Sequence, residues 1–253
     1  MSYWVPEWPA PTNVKSIITA CEGGVSEGAY ASNNMGLHVG DKLEHVQKNR
    51  ASLQDSLGLN KPTQWLEQVH GTKVVPAQSD GFVRTADGSY TQESGLACSV
   101  MTADCLPVLF CDREGTQVAA VHAGWRGLAG NILRSARNSF SCSSNNILVY
   151  LGPAISQAHF EVGVDVLEAF FENAESSTEA ETIAASFKPS LNPMRFYADI
   201  YALARIQFAR MGIESVYGGS ACTFGDMKGD KPQYYSYRRQ ADTGRMASLI
   251  WLD

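Results

Sequence analysis

Apolar residues fall into many short runs along this chain, and each run carries its own period. Leu43, Val46, Leu53 and Leu57 recur at helical spacing among polar neighbours, which predicts a helix over Leu43–Leu57. Trp65–Val69 and Thr72–Pro76 read as short strands on either side of His70-Gly71. Gly95–Met101, Leu106–Cys111 and Gln117–His122 are continuous apolar runs of strand length, as expected of buried strands. Helical spacing returns over Leu128–Phe140, and Ile147–Leu151 is a further strand closed by Gly152-Pro153. Val164–Phe171 predicts a helix. Asp199 is placed to cap a helix over Ile200–Met211, with Gly212 as its stop. Val216–Cys222, Tyr234–Tyr237 and Ala247–Leu252 read as closing strands around a turn-like segment, Thr223–Pro232. Glu175–Ser186 is polar, either an exposed helix end or a mobile loop, and Cys21–Asp41 reads as an ordered Gly/Ser/Asn-rich loop. The irregular alternation predicts a mixed α/β (α+β) fold, a single domain with mixed β-sheets covered by helices. No repeat or composition shift divides residues 1–253, so one catalytic domain is expected, with 1–18 as an N-terminal extension.

Composition narrows the function classes. The chain has 253 residues, enough to bury a large core without a staple. Its net charge of −6 disfavours nucleic acid as a partner, since phosphate-backbone binding depends on Lys and Arg. The start of the chain has prolines and no apolar signal core, and no run approaches the ~20 apolar residues of a membrane span. Six irregularly spaced cysteines without a CxxC pair read as free thiols, which points to the cytoplasm.

Candidate chemistry concentrates at three positions. His70 precedes Gly71, Cys105 follows Asp104, and His122 ends an apolar run and precedes Ala-Gly-Trp-Arg-Gly. Imidazole and thiolate donors together suit zinc, and three protein ligands leave the fourth position of a catalytic site open. Separations of 35 and 17 positions are wider than the knuckles of structural zinc sites. Taken singly, each residue reads more readily as a core histidine or buried thiol. The turn through Gly124 and Gly127 makes Gly124 and Arg126 candidates for anion binding. Arg238, in Ser236-Tyr237-Arg238-Arg239, is another, against a solvated edge strand. Asp104 is a candidate to orient a ligand histidine or carry a proton, against a turn cap. His38, in the Asn-Gly loop, could approach the site but reads as structural, and His45 and His159 carry still less signal.

At these residues the chain resembles a known family. QVHGT at 68–72, TADCLPV at 102–108, AAVHAGWRGL at 119–128, LGPAI at 151–155, FEVG at 160–163 and SYRR…TGRMA at 236–247 carry the resemblance, with GGVSEGAY and NMGLHVGD near the start. The family is that of the laccase-like multicopper polyphenol oxidases, also called peptidoglycan editing factors and associated with purine nucleoside phosphorylase and adenosine deaminase activity. The resemblance implies a Zn2+ ion held by His70, Cys105 and His122 and a fold similar to the cysteine hydrolases. It implies phosphorolysis of adenosine, inosine, guanosine and methylthioadenosine and deamination of adenosine, with purine nucleosides and phosphate as partners. Three rival readings stand beside it. Copper-dependent phenol oxidation is disfavoured, because several coppers need many imidazoles and the chain has five histidines. A cytoplasmic amidase editing peptidoglycan precursors would use Cys105 or the metal. A structural zinc would make the protein a binding module.

Overall fold

The computed structural model describes residues 2–253 and contains six α-helices and several sheets. A six-stranded sheet runs in the order 216–218, 147–151, 106–112, 118–123, 88–91 and 74–76. Its two outer pairs are parallel and its inner pairs antiparallel, so the sheet is mixed. A four-stranded sheet runs 3–4, 14–19, 246–252 and 98–102.

Side chains alternate across the six-stranded sheet and build two cores. Leu106, Val108 and Phe110 pack with Leu128, Leu133 and Phe208 of the helical layer. That layer comprises α2 (Trp125–Ala129), α3 (Ile132–Asn138), α4 (Val164–Phe171), α5 (Ser177–Ala185) and α6 (Ile200–Arg210); α1 spans Leu43–Leu57. Leu109 and Cys111, on the other face, pack with Ile18, Val100 and Ile250 of the four-stranded sheet. The far face of that second sheet, with Ile17, Met101 and Leu249, is covered by Leu53 of α1 and by Met35. The order of layers is therefore helix, sheet, sheet, helices. Both faces of the central strands are covered, which is why Leu106–Asp112, Val118–Ala123 and Met246–Leu252 are buried at every position.

The helix over Leu43–Leu57 forms as its pattern predicts and ends at Gly58, whose φ of 64° suits glycine. Asp199 caps α6 by accepting the N–H of Ala202 at 3.0 Å. Ser176 likewise accepts the N–H of Glu179, so the polar segment at 175–186 forms α5.

Other expectations are corrected. The single helix expected over Leu128–Phe140 is two, α2 and α3, broken at Gly130-Asn131. Asn131 stands at φ 70°, and a Cβ on Gly130 would lie 2.9 Å from Thr72 Cγ2. The break lets the segment after His70 pack against the helices. Tyr234–Tyr237 is a turn region and not a strand, because its backbone is drawn into local bonds: the Tyr234 carbonyl accepts from Arg239 Nη2, the N–H of Tyr235 donates to Met246 Sδ at 3.0 Å, and the Ser236 carbonyl accepts the N–H of Gln240 at 3.0 Å. The strand at 216 ends at Gly218, since Gly218 and Gly219 both take positive φ. The expected extension at 1–18 is partly built into the fold, since Val14–Thr19 is an inner strand of the second sheet, paired with Ser248–Leu252. No helix among the described residues is long and apolar enough to cross a membrane.

The aromatic contacts of Phe110 with Phe140 and Phe208 lie at the centre of the larger core. Phe110→Ala is expected to destabilise the fold by about 3–5 kcal/mol, read as a lower urea midpoint. Leu191→Ala, at a fully exposed position, should change stability by less than about 0.5 kcal/mol.

Candidate functional site

The central hairpin brings the first two residues of the site together. In the antiparallel register Leu106 faces Ala123 and Pro107 faces His122. One step further along the same register sets Cys105 beside Gly124. The 17-residue separation of Cys105 and His122 is therefore one hairpin, and both stand at one end of the sheet. His70 arrives from a third element, a turn ahead of the strand Val74–Pro76, with its backbone at φ 59°.

A residue that sequence reasoning missed joins the three. Asp87 is fully buried, and its carbonyl accepts the N–H of His122 at 2.7 Å. Its carboxylate accepts the N–H groups of His70 at 2.9 Å, Gly71 at 2.7 Å and Val69 at 3.3 Å, and faces His122 Nδ1 at 2.9 Å. Left-handed backbone is costly for a non-glycine residue, and these three bonds hold His70 in it. With Nδ1–H donated to Asp87, the neutral imidazole of His122 would present Nε2 to a metal as its lone pair. Asp87 in Thr85-Ala86-Asp87-Gly88 reads from the sequence as an ordinary turn residue. Its part in the site exists only once Gly88 has paired with Val121.

The ligand atoms of His70, Cys105 and His122 lie within 4.8 Å of one another. Cys105 Sγ is 3.9 Å from His70 Nε2, and the two imidazoles meet edge to face at 4.8 Å between centroids. Tetrahedral zinc with N and S ligands needs donor separations of roughly 3.3–3.6 Å, which small side-chain rotations supply. A Cβ on Gly124 would fall 3.0 Å from His70 Cδ2 and 3.1 Å from Cys105 Sγ. Glycine there keeps one face of the triad clear. His122 is buried, Cys105 partly exposed and His70 exposed, so the cluster opens to solvent on the His70 side. The residues present fit a single metal ion with an open position.

Electrostatics favours the ligand form of the thiol. Burial alone would raise Cys105, but the charge and hydrogen bond of His122, and then those of His70, bring it down to about 6. Burial works against a charged His122 too, and Cys105 and Asp87 overcome it and push it up to about 9. Desolvation would raise Asp87, and its bonds to His122 and the 69–71 backbone hold it below the usual carboxylate range. By contrast, burial pushes the thiols of Cys21, Cys98 and Cys111 up to about 12.

The other expected site residues are placed differently. Asp104, at φ 92°, makes no hydrogen bond to a ligand histidine. Its carboxylate accepts Thr223 Oγ1 at 2.6 Å and the N–H of Arg238 at 2.7 Å, so it clamps the C-terminal turn beside Cys105. Orienting a ligand histidine falls to Asp87 instead. Gly124 is against the triad, at the start of the five-residue α2. Gly127 is a close approach, since a Cβ there would lie 2.7 Å from the carbonyl of Gly71. Arg126 is exposed and stacked over Trp125 at 4.3 Å. Arg238 sends its guanidinium to the carbonyl of Glu161 at 2.7 Å, above the Phe160 ring.

Residues 15–253 match the model of a family described as multi-copper polyphenol oxidoreductase laccase, and the chain belongs to that family. It is 48% identical over 253 residues to a protein of Pseudomonas aeruginosa named purine nucleoside phosphorylase PA4543, covering 100% of this chain and 99% of that one. It is 44% identical to purine nucleoside phosphorylase YfiH of Escherichia coli, over 98% of each. Its fold superposes on Neisseria meningitidis protein NMB0706 with a TM-score of 0.91 at 48% identity, covering 100% of both chains. YlmD of Geobacillus stearothermophilus superposes with a TM-score of 0.85 at 28% identity, over 100% of this chain and 96% of that one.

Two outcomes follow from the geometry. In metal-stripped protein, iodoacetamide should alkylate Cys105 with a rate that rises through a pH of about 6. Cys98 and Cys111 should stay silent to pH 9 by peptide mass mapping. Asp87→Asn should weaken metal binding about 10- to 100-fold, measured by competition with a chromogenic chelator.

Proposed function

We propose that this member of the family is a zinc-dependent purine nucleoside enzyme that uses phosphate to cleave the glycosidic bond of adenosine, inosine, guanosine or methylthioadenosine and also deaminates adenosine. The observation that carries this reading is the open triad of His70, Cys105 and His122, whose ligand atoms converge at one end of the central sheet. The names of the relatives from Pseudomonas aeruginosa and Escherichia coli support the phosphorylase activity. The donor set supports zinc over a multicopper centre. Several coppers require several imidazole-rich sites, whereas His45 lies beside Asp41 and His159 stacks on Phe224. Six free cysteines support a reducing, cytoplasmic setting.

In phosphorolysis a phosphate oxygen bonds to C1′ of the ribose as the C1′–N9 bond breaks. The bonding pair leaves with N9, and the purine takes up the proton carried by dihydrogen phosphate. The products are the free base and ribose 1-phosphate, or 5-methylthioribose 1-phosphate from methylthioadenosine. In deamination, water adds at C6 of adenosine and ammonia leaves. A metal ion held by the triad supplies Lewis-acid polarisation when bound. The protein's own part is positional. Asp87 fixes the tautomer of His122 and the backbone of His70, and Asp104 fixes the turn that borders Cys105. Gly124 leaves room for a substrate atom against the triad.

One observation favours a second reading. Cys105, His122 and Asp87 form a nucleophile, base and orienting carboxylate in series, with His122 Nδ1 bonded to Asp87. In a metal-free hydrolase, Cys105 would attack an amide such as one in a cell-wall precursor. Turnover that survives chelation and is lost to iodoacetamide would favour that reading.

The test is metal analysis of protein purified without added metal, then a nucleoside panel with and without phosphate, read by product mass. About one zinc per chain and phosphate-dependent release of base are expected. His70→Ala should lower kcat/KM for inosine phosphorolysis about 10²–10³-fold. Full activity in metal-free His70→Ala protein would overturn the reading.

A further inference from the structure

Two guanidinium groups and an imidazole meet beside the triad without an acidic partner. Asn34 is fully buried, and its Oδ1 accepts the N–H of Gly36 at 2.8 Å and of Arg245 at 2.9 Å. The N–H of Met35 donates to the carbonyl of Arg245 at 3.1 Å. These bonds weld the 34–36 loop to the start of the strand Met246–Leu252. Met246 pairs with Thr102, so Arg245 stands one residue beyond the ladder, alongside the turn that carries Cys105. Its side chain lies over Gly36, where a Cβ would be 2.9 Å from Arg245 Cγ. His38 follows two residues later on the same loop. Arg50 of α1 reaches the loop from its other side, donating from Nε and Nη2 to the Met35 carbonyl at 2.9 and 2.7 Å and stacking on Trp65 at 3.8 Å.

The guanidinium of Arg245 has donors to spare. Nη1 bonds to the Thr243 and Gly244 carbonyls at 2.9 and 3.0 Å, and Nε and Nη2 have no acceptor among the described residues. None of Arg245, Arg50 and His38 belongs to an ion pair there. Burial makes the charge of Arg245 costly, and Cys105 and then Asp104 are the charges that most offset it. Burial likewise lowers His38, with Arg245, Arg50, His70 and His122 acting in the same direction. Arg245, Arg50, a neutral His38 and the triad therefore share one electrostatic neighbourhood. A partly buried guanidinium with free donors and no carboxylate is stabilised by an oxyanion that fits its planar fork.

We propose that Arg245, with His38 beside it and Arg50 reinforcing the field, forms the oxyanion subsite of this protein and takes the phosphate group that reacts at, or leaves from, the triad. The assignment rests on the phosphorylase reading for its catalytic meaning. It differs from the sequence-based candidates: Arg126 is exposed and stacked on Trp125, and Arg238 donates to the Glu161 carbonyl.

The test uses the metal-loaded full chain and inorganic phosphate as the probe, with calorimetric binding and steady-state kinetics read in parallel. Arg245→Gln should weaken phosphate binding and raise the phosphate KM by roughly 10- to 100-fold, with the inosine KM changed by less than about threefold. Arg245→Lys, which keeps the charge without the fork, should recover part of the loss. His38→Ala should give a smaller shift in the same direction. Phosphate binding unchanged in folded Arg245→Gln protein overturns the subsite, as does a phosphate effect carried by Arg126→Gln in its place. Wild-type protein that releases no base with phosphate defeats the phosphorylase reading alone. Phosphate binding that is lost in Arg245→Gln still supports the subsite in that case.

Discussion

One buried carboxylate, Asp87, holds the site together. It lies on the strand edge opposite His122, receives the imidazole of that residue and closes three backbone N–H groups around His70. Two of the three converging ligands come from elements distant in sequence, and both are oriented by the same pair of oxygens. A carboxylate buried without partners would be strongly destabilising. Asp87 is tolerated because every direction around it carries a donor, and that full satisfaction is what makes its position rigid. The left-handed turn at His70 and the tautomer of His122 are two consequences of one electrostatic requirement.

The layered fold explains why the site lies where it does. The central strands are buried on both faces, so a charged group along their length would be costly to desolvate. Chemistry is confined to the strand ends, where the chain leaves the sheet and meets solvent. Cys105 and His122 occupy one such end because a hairpin places residues before one strand beside residues at the end of the next. Glycines then admit close contact. Gly124 leaves space against the triad, and Gly127 lets the Gly71 backbone approach the helical layer.

Charge is distributed to match. The chain is acidic overall, yet Arg245 and Arg50 meet at the 34–36 loop beside the triad. Asp104 turns its carboxylate away from the ligands to Thr223 and the Arg238 backbone. The acidic groups nearest the candidate metal position are therefore the Cys105 thiol and the enclosed Asp87, and the His70 side of the triad is open to solvent.

Local pattern alone determined the elements whose signals are self-contained. The helix over Leu43–Leu57, the strand Ile147–Leu151 and the helix Val164–Phe171 appear with the bounds their periodicity predicts. Capping by Asp199 was equally legible, because a cap acts within three residues. Three residue types in suggestive contexts, together with a family resemblance, marked His70, Cys105 and His122. Their convergence was decided only by the hairpin register and the turn at His70, which depend on pairings across the chain. The same holds for Asp87 and Arg245. A lone Asp before Gly and a lone Arg after Gly carry no local signal, since their partners lie 16 to 35 and more than 200 residues away. The break at Asn131, the turn at Tyr234–Tyr237 and the strand Val14–Thr19 were illegible for a related reason. Each is imposed by what packs or pairs against it, and tertiary contact overrides local preference wherever the two compete.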